Sequence, residues 1–232
     1  MANNATDNST AIANANGATA NVTLTGRTLY KDGSWNTICL PFNLTLAGSP
    51  LDGATAKTLS AATMTGTHVD LTFGDDVTEL VAGTPYIIKW TSGEDIYEPV
   101  FNGVTLSATE PVTMNFDNNH IQFIGYYDAF NITAADEDIF YMTADNQLKS
   151  TAIDRTLKSC RAYFHFTPNN GNSVKALTFS LKFGDEDGIK DLSKRDHERA
   201  TDHWYDLEGR QIEQLPIHKG IYIKDGKKVV IK

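Results

Sequence analysis

Apolar residues in this chain recur on alternate positions in short runs, and Gly, Asn, Asp or Pro breaks the runs at roughly 8–12-residue spacing. Such a pattern constrains the fold more than any other feature, because a period of two places every second side chain on one face of a strand. Val69, Leu71 and Phe73 alternate with polar neighbours, and Gly74-Asp75-Asp76 then turns the chain. Residues 35–42 form a dense apolar run that ends at Pro41, and residues 83–90 form another, entered through Gly83-Thr84-Pro85. Proline cannot donate to a ladder, so each marks a place where the chain leaves or joins a sheet. Further strands are predicted at 97–101, 112–116, 120–127, 139–143, 147–150, 160–167 and 174–183, the last two as a pair. Asp117-Asn118-Asn119 and Ala144-Asp145-Asn146 supply obvious turns. Only 134–137 and 151–157 could form helical turns. The expectation is an all-β antiparallel β-sandwich of the jelly-roll or immunoglobulin-like class, followed by a linker and a small C-terminal β-hairpin module.

At 232 residues the chain is long enough to bury a real core. Its formal net charge of −9 argues against a nucleic-acid surface, which needs clustered Lys and Arg. No apolar run approaches the ~20 residues of a helical membrane span. Residues 1–19 are rich in Asn, Ala and Thr, without the basic and apolar regions of a signal peptide. They read as a disordered polar linker arriving from an upstream module. The sandwich is expected over 20–184, a charged linker over 185–203, and the tail module over 204–232.

That tail reads WYDLEGRQIEQLPIHKGIYIKDGKKVVIK. Asp225-Gly226 between Ile221, Ile223 and Val229, Ile231 is a strong hairpin signal, since glycine takes positive φ freely. A hairpin this small cannot hold a core of its own and must dock or be read by a partner. The spaced blocks Tyr205-Asp206-Leu207-x-Gly209-Arg210, Gly220-Ile221-Tyr222 and Gly226-Lys227 resemble the C-terminal sorting domain of Bacteroidetes type IX secretion cargo. The resemblance implies export across the outer membrane, type IX machinery as partner, and a cell-surface or extracellular location. Residues 20–184 are similar to a module common near the C-termini of large Bacteroidetes surface proteins. The likeness rests on residues 23–29, 35–42, Gly83-Thr84-Pro85-Tyr86 and Arg161-Ala162-Tyr163-Phe164. It implies a presentation or spacer role beside adhesive regions.

Chemistry-bearing residues are sparse. Cys39 and Cys160 are the only cysteines; an exported compartment would allow a disulfide, while two buried free thiols are the other reading. None of the six histidines sits at metal-ligand spacing. Asp75-Asp76, Glu94-Asp95 and Asp136-Glu137-Asp138 are candidate carboxylate pairs, and the first and last also candidate weak calcium sites, though acidic residues on turns are mostly solvated charge. Exposed rings could stack on sugar faces, and Trp90, Tyr97 and Tyr127 are the candidate glycan contacts. No cofactor is implied. The expected function is non-enzymatic adhesion or presentation. The alternative is a carbohydrate-binding module attached to a glycan-degrading enzyme, its partner a host or dietary glycan or a host protein.

Overall fold

The structure, a computed structural model, describes residues 1–168 and 173–184 in full, and beyond them the backbone of four short strands between 204 and 231. The chain divides into two compact units, Met1–Asp187 and Gly188–Lys232.

The first unit is mostly β, in several small sheets. A five-stranded antiparallel sheet runs in the order Thr113–Phe116, Ile121–Tyr126, Arg161–Phe166, Ile139–Met142 and Leu148–Lys149. Its central strand shows the period of two plainly. Ala162, Phe164 and Phe166 are buried, while Arg161, Tyr163 and His165 occupy the other face. Phe123 stands opposite Phe164, and their rings stack at 4.5 Å, a cross-strand pair that stabilises register as well as packing. Asp117, Asn118 and Asn119 take φ of 48°, 55° and 68° at the bend between the first two strands. Asp and Asn tolerate this left-handed region better than other side chains, which is why the sequence turns there.

A second sheet contains Leu59–Thr65, His68–Phe73 and Thr178–Lys182. The last strand pairs in parallel with His68–Phe73, from Thr178↔His68 to Lys182↔Thr72. Residues 174–183 therefore do not form a hairpin with 160–167, as the run order predicts. Parallel partners need a long connection and leave no turn signal beside them. Residues 155–157 are a strand pairing with Phe130–Ile132 rather than part of a helical turn.

A third sheet places Tyr86–Lys89 between Asn36–Ile38 and Thr55–Lys57. Two hydrophobic clusters lie on its two sides. Tyr86 and Ile88 join Leu29, Ile38, Phe42 and Phe101 in one; Ile87 joins Phe73, Phe123 and Phe164 in the other. A strand buried on both faces reads as a continuous apolar run, and Tyr86-Ile87-Ile88 is one.

Residues 1–19 depart from the expected disordered linker. Asn8–Asn14 is a helix, Ala2 bridges Thr25, and Thr19–Thr23 is a strand paired with Val100–Thr105. Ile12 is 2% exposed and packs against Cys39 and Tyr127. Asn8 donates through Nδ2 to the carbonyls of Ala2 and Tyr127. A short helix with one apolar anchor has no periodicity to detect, and tertiary packing supplies its stability.

In the second unit the strands Gln211–Ile212, Trp204–Tyr205, Gly220–Lys224 and Lys227–Ile231 form one antiparallel sheet in that order. The last two pair up to Lys224↔Lys227.

Candidate functional site

Of the tail residues singled out, Tyr205, Gly220, Ile221, Tyr222 and Lys227 fall on strands of this sheet. Asp206, Leu207, Gly209, Arg210 and Gly226 lie outside the described residues.

Cys39 and Cys160 are free, buried thiols rather than a disulfide. Their backbones meet, since the Cys39 N–H donates to the Cys160 carbonyl at 3.3 Å. The sulfurs have separate neighbours: Cys39 Sγ donates to Gly83 O at 3.3 Å, and Cys160 Sγ lies 3.8 Å from Tyr127 O. Burial pushes both thiols up, so neither supplies a thiolate at neutral pH.

The three candidate glycan rings do not make a platform. Trp90 and Tyr127 are 4% and 3% exposed, and only Tyr97, at 73%, faces solvent. Trp90 Nε1 donates to Asp52 O and Tyr127 Oη to Thr109 O, the partners that buried polar tips require. The acidic clusters also disperse. Asp136 accepts from the N–H and hydroxyl of Thr133, Glu137 pairs with Lys175, and Asp138 with His165. Asp76 pairs with Lys57, whose side chain is buried. Among the described residues no three of His, Cys, Asp and Glu converge on a metal position.

What the structure does bring together is a set of cations and rings that the sequence reading passed over. A cavity of about 460 Å³ opens among residues 30–37, 141–144 and 155–162, together with Tyr126. Arg161 begins its strand just after Cys160, which sits at φ 54°. The left-handed bend turns the Cys160 carbonyl to Arg27, whose Nη1 donates to it at 2.6 Å while Nη2 donates to Thr37 O. Arg27 is 1% exposed, so this guanidinium ties the turn to the strand Asn36–Ile38 from beneath. On the cavity wall, Arg161 reaches Asn3 Oδ1 at 3.5 Å, and its buried Nε has no partner among the described residues. Arg155 lies over the Tyr141 ring at 4.5 Å, a stacking that leaves its N–H edge free to bind in plane. Lys158 donates to Asn4 Oδ1. Tyr30 is half exposed at the rim, its backbone held on both sides by the Asn36 amide.

The electrostatics are one-sided. Arg155, Lys158 and Arg161 are the ionisable cations of the lining, and no Asp or Glu is among its lining residues. Burial, then the other guanidinium, pushes Arg27 down; burial also pushes Arg161 down. The groups acting most strongly on the two charges besides each other are Tyr126, Tyr30 and Cys160, none of them a carboxylate. Arginine stays protonated in proteins, so the strain appears as unmet positive potential rather than as a lost proton. Sequence could have flagged this only through Arg161, a charged residue at the head of the apolar strand run Ala162-Tyr163-Phe164.

Compared with protein-family models, curated proteins and solved structures, the chain finds no significant match in any of the three.

Proposed function

We propose that this chain is a non-catalytic module displayed on, or released from, a cell surface as part of a larger protein, with residues 204–232 acting as a type IX-like sorting tail. The observation that carries the reading is the tail's own antiparallel sheet in a separate compact unit, with Tyr205, Gly220–Tyr222 and Lys227 on its strands. A terminal element that forms its own sheet can be read by export machinery as a unit. For the first unit we propose a β-sandwich of the jelly-roll or immunoglobulin-like class. Phe73 of one sheet meets Phe123 and Phe164 of another edge-on at 6.3 and 6.4 Å, as side chains do where two sheets pack face to face.

The test is export. A signal peptide is fused to the chain, with and without residues 204–232, in a type IX-competent bacterium, and cells are fractionated. Surface delivery of the full chain only, with the intact mass showing tail removal, supports the reading. Equal delivery of both forms overturns it. The alternative of a carbohydrate-binding module loses Trp90 and Tyr127 as contacts, and is favoured only by the cavity beside Arg161.

A further inference from the structure

We propose that the cavity walled by Arg155, Arg161, Tyr141 and Tyr30 is a binding site for an acidic saccharide. The carboxylate of the sugar is taken by Arg161 and Arg155, and its ring lies against Tyr30. The inference rests on the cavity alone and holds whether or not the tail directs export.

A buried cation without a counter-charge is costly, and proteins normally pair it, bond it fully or avoid it. Arg27 meets that need with backbone carbonyls of Thr37, Ser159 and Cys160. Both guanidinium groups leave a buried Nε without a partner among the described residues, but Arg161 has in addition only one long, neutral contact for its Nη groups, where Arg27 has three carbonyls. The imbalance is local, because the whole chain carries a formal charge of −9 and has carboxylates in excess elsewhere. A carboxylate arriving from solvent would give Arg161 the bidentate partner that its planar fork is shaped for. Arg155, already stacked on Tyr141, stands where it can take the second oxygen or an adjacent hydroxyl.

The remaining lining selects among anions. Tyr30 offers an exposed ring, and the Thr143 and Thr156 hydroxyls, which donate to Gln147 O and Asn131 Oδ1, keep lone pairs that can accept from a ligand hydroxyl. Inorganic anions have no use for the ring, whereas a pyranose uses both ring and polar groups. The volume lies within the range of small-molecule sites. A nucleic acid is disfavoured, since its long backbone needs a broad surface of clustered Lys and Arg, and three cations around one cavity in a chain of formal charge −9 do not supply it.

The test titrates the full chain with galacturonic acid oligomers and sialyllactose, each against its neutral counterpart, galactose oligomers and lactose, and against sodium sulfate at matched ionic strength. Calorimetry reads affinity, and the thermal midpoint reads linkage to folding. At least one acidic saccharide is expected to bind about tenfold or more tightly than its neutral counterpart, since a hydrogen-bonded charge pair is worth that much. The binding weakens as salt rises. Arg155→Gln, on the exposed side of the site, is expected to weaken it about tenfold with an unchanged thermal midpoint. Arg161→Gln is expected to weaken it further and to leave the midpoint unchanged or raised, because it removes an unpaired buried charge. The proposal is overturned if no acidic saccharide binds, if a neutral counterpart or sulfate binds equally well, or if Arg155→Gln binds unchanged. If Arg161→Gln fails to fold, the Arg155→Gln titration decides alone.

Discussion

At the scale of single residues, Cys39 packs closely against Gly125. Its thiol fills the space that a side chain at position 125 would need, since a Cβ there would come within 2.7 Å of Cys39 Sγ and 3.2 Å of Gly83 O. Gly125→Ala is expected to lower stability by about 1–3 kcal/mol through overpacking. Chemical denaturation measures it, and adding Cys39→Ala should recover part of the loss if the sulfur is the obstacle. The same neighbourhood predicts the redox state. Alkylation in denaturant without reductant should count two thiols by mass; a count of zero would mean that a disulfide has formed. Lys57 gives a third test. It is 4% exposed and held by Asp76 and the Gly74 carbonyl, so Asp76→Ala is expected to cost on the order of 1–3 kcal/mol by leaving a buried cation without its charge partner.

At the scale of elements, the helix Asn8–Asn14 and the turn at Asp136 make opposite kinds of contribution. The helix is too short to stand alone and depends on Ile12 reaching Cys39 and Tyr127. Ile12→Ala is expected to destabilise the fold by about 2–4 kcal/mol; a loss within ~0.5 kcal/mol would mean that the segment is a solvated linker after all. The turn at 133–136 is electrostatic. The Thr133 N–H and hydroxyl hold the Asp136 carboxyl below its usual range. A depressed carboxyl contributes stability that is full above the unfolded value near pH ~3.9 and is lost as pH falls through the folded value. Carboxyl titration by NMR should therefore place Asp136 below an ordinary aspartate, and Thr133→Val should move it back up.

At the scale of the whole molecule, the strand Tyr86–Lys89 couples the two clusters of the first unit. Ile87 faces one and Ile88 the other. Each cluster also holds one tryptophan, Trp35 beside Ile87 and Trp90 beside Ile88. In a Trp204→Phe background, denaturation followed with Trp35 alone and with Trp90 alone should give coincident curves. Ile87→Ala and Ile88→Ala should each shift both curves, by about 2–5 kcal/mol. Separated curves would show two independently melting halves instead of one cooperative unit.

The sequence by itself determined the β character, because a period of two and turn-forming Asn, Asp and Gly act over a few residues. The strand His68–Phe73, the hairpin across 117–119 and the buried run at Tyr86-Ile87-Ile88 were all legible on those local terms. Tertiary structure alone decided what depends on distant partners. It made Thr178–Lys182 a parallel neighbour of His68–Phe73, anchored residues 1–19 through Ile12, and buried Trp90 and Tyr127. It also gathered Arg155, Lys158 and Arg161 around one cavity with no carboxylate among its lining residues. A charge is expensive or cheap according to what surrounds it in space, and the spacing of residues along a chain does not carry that information.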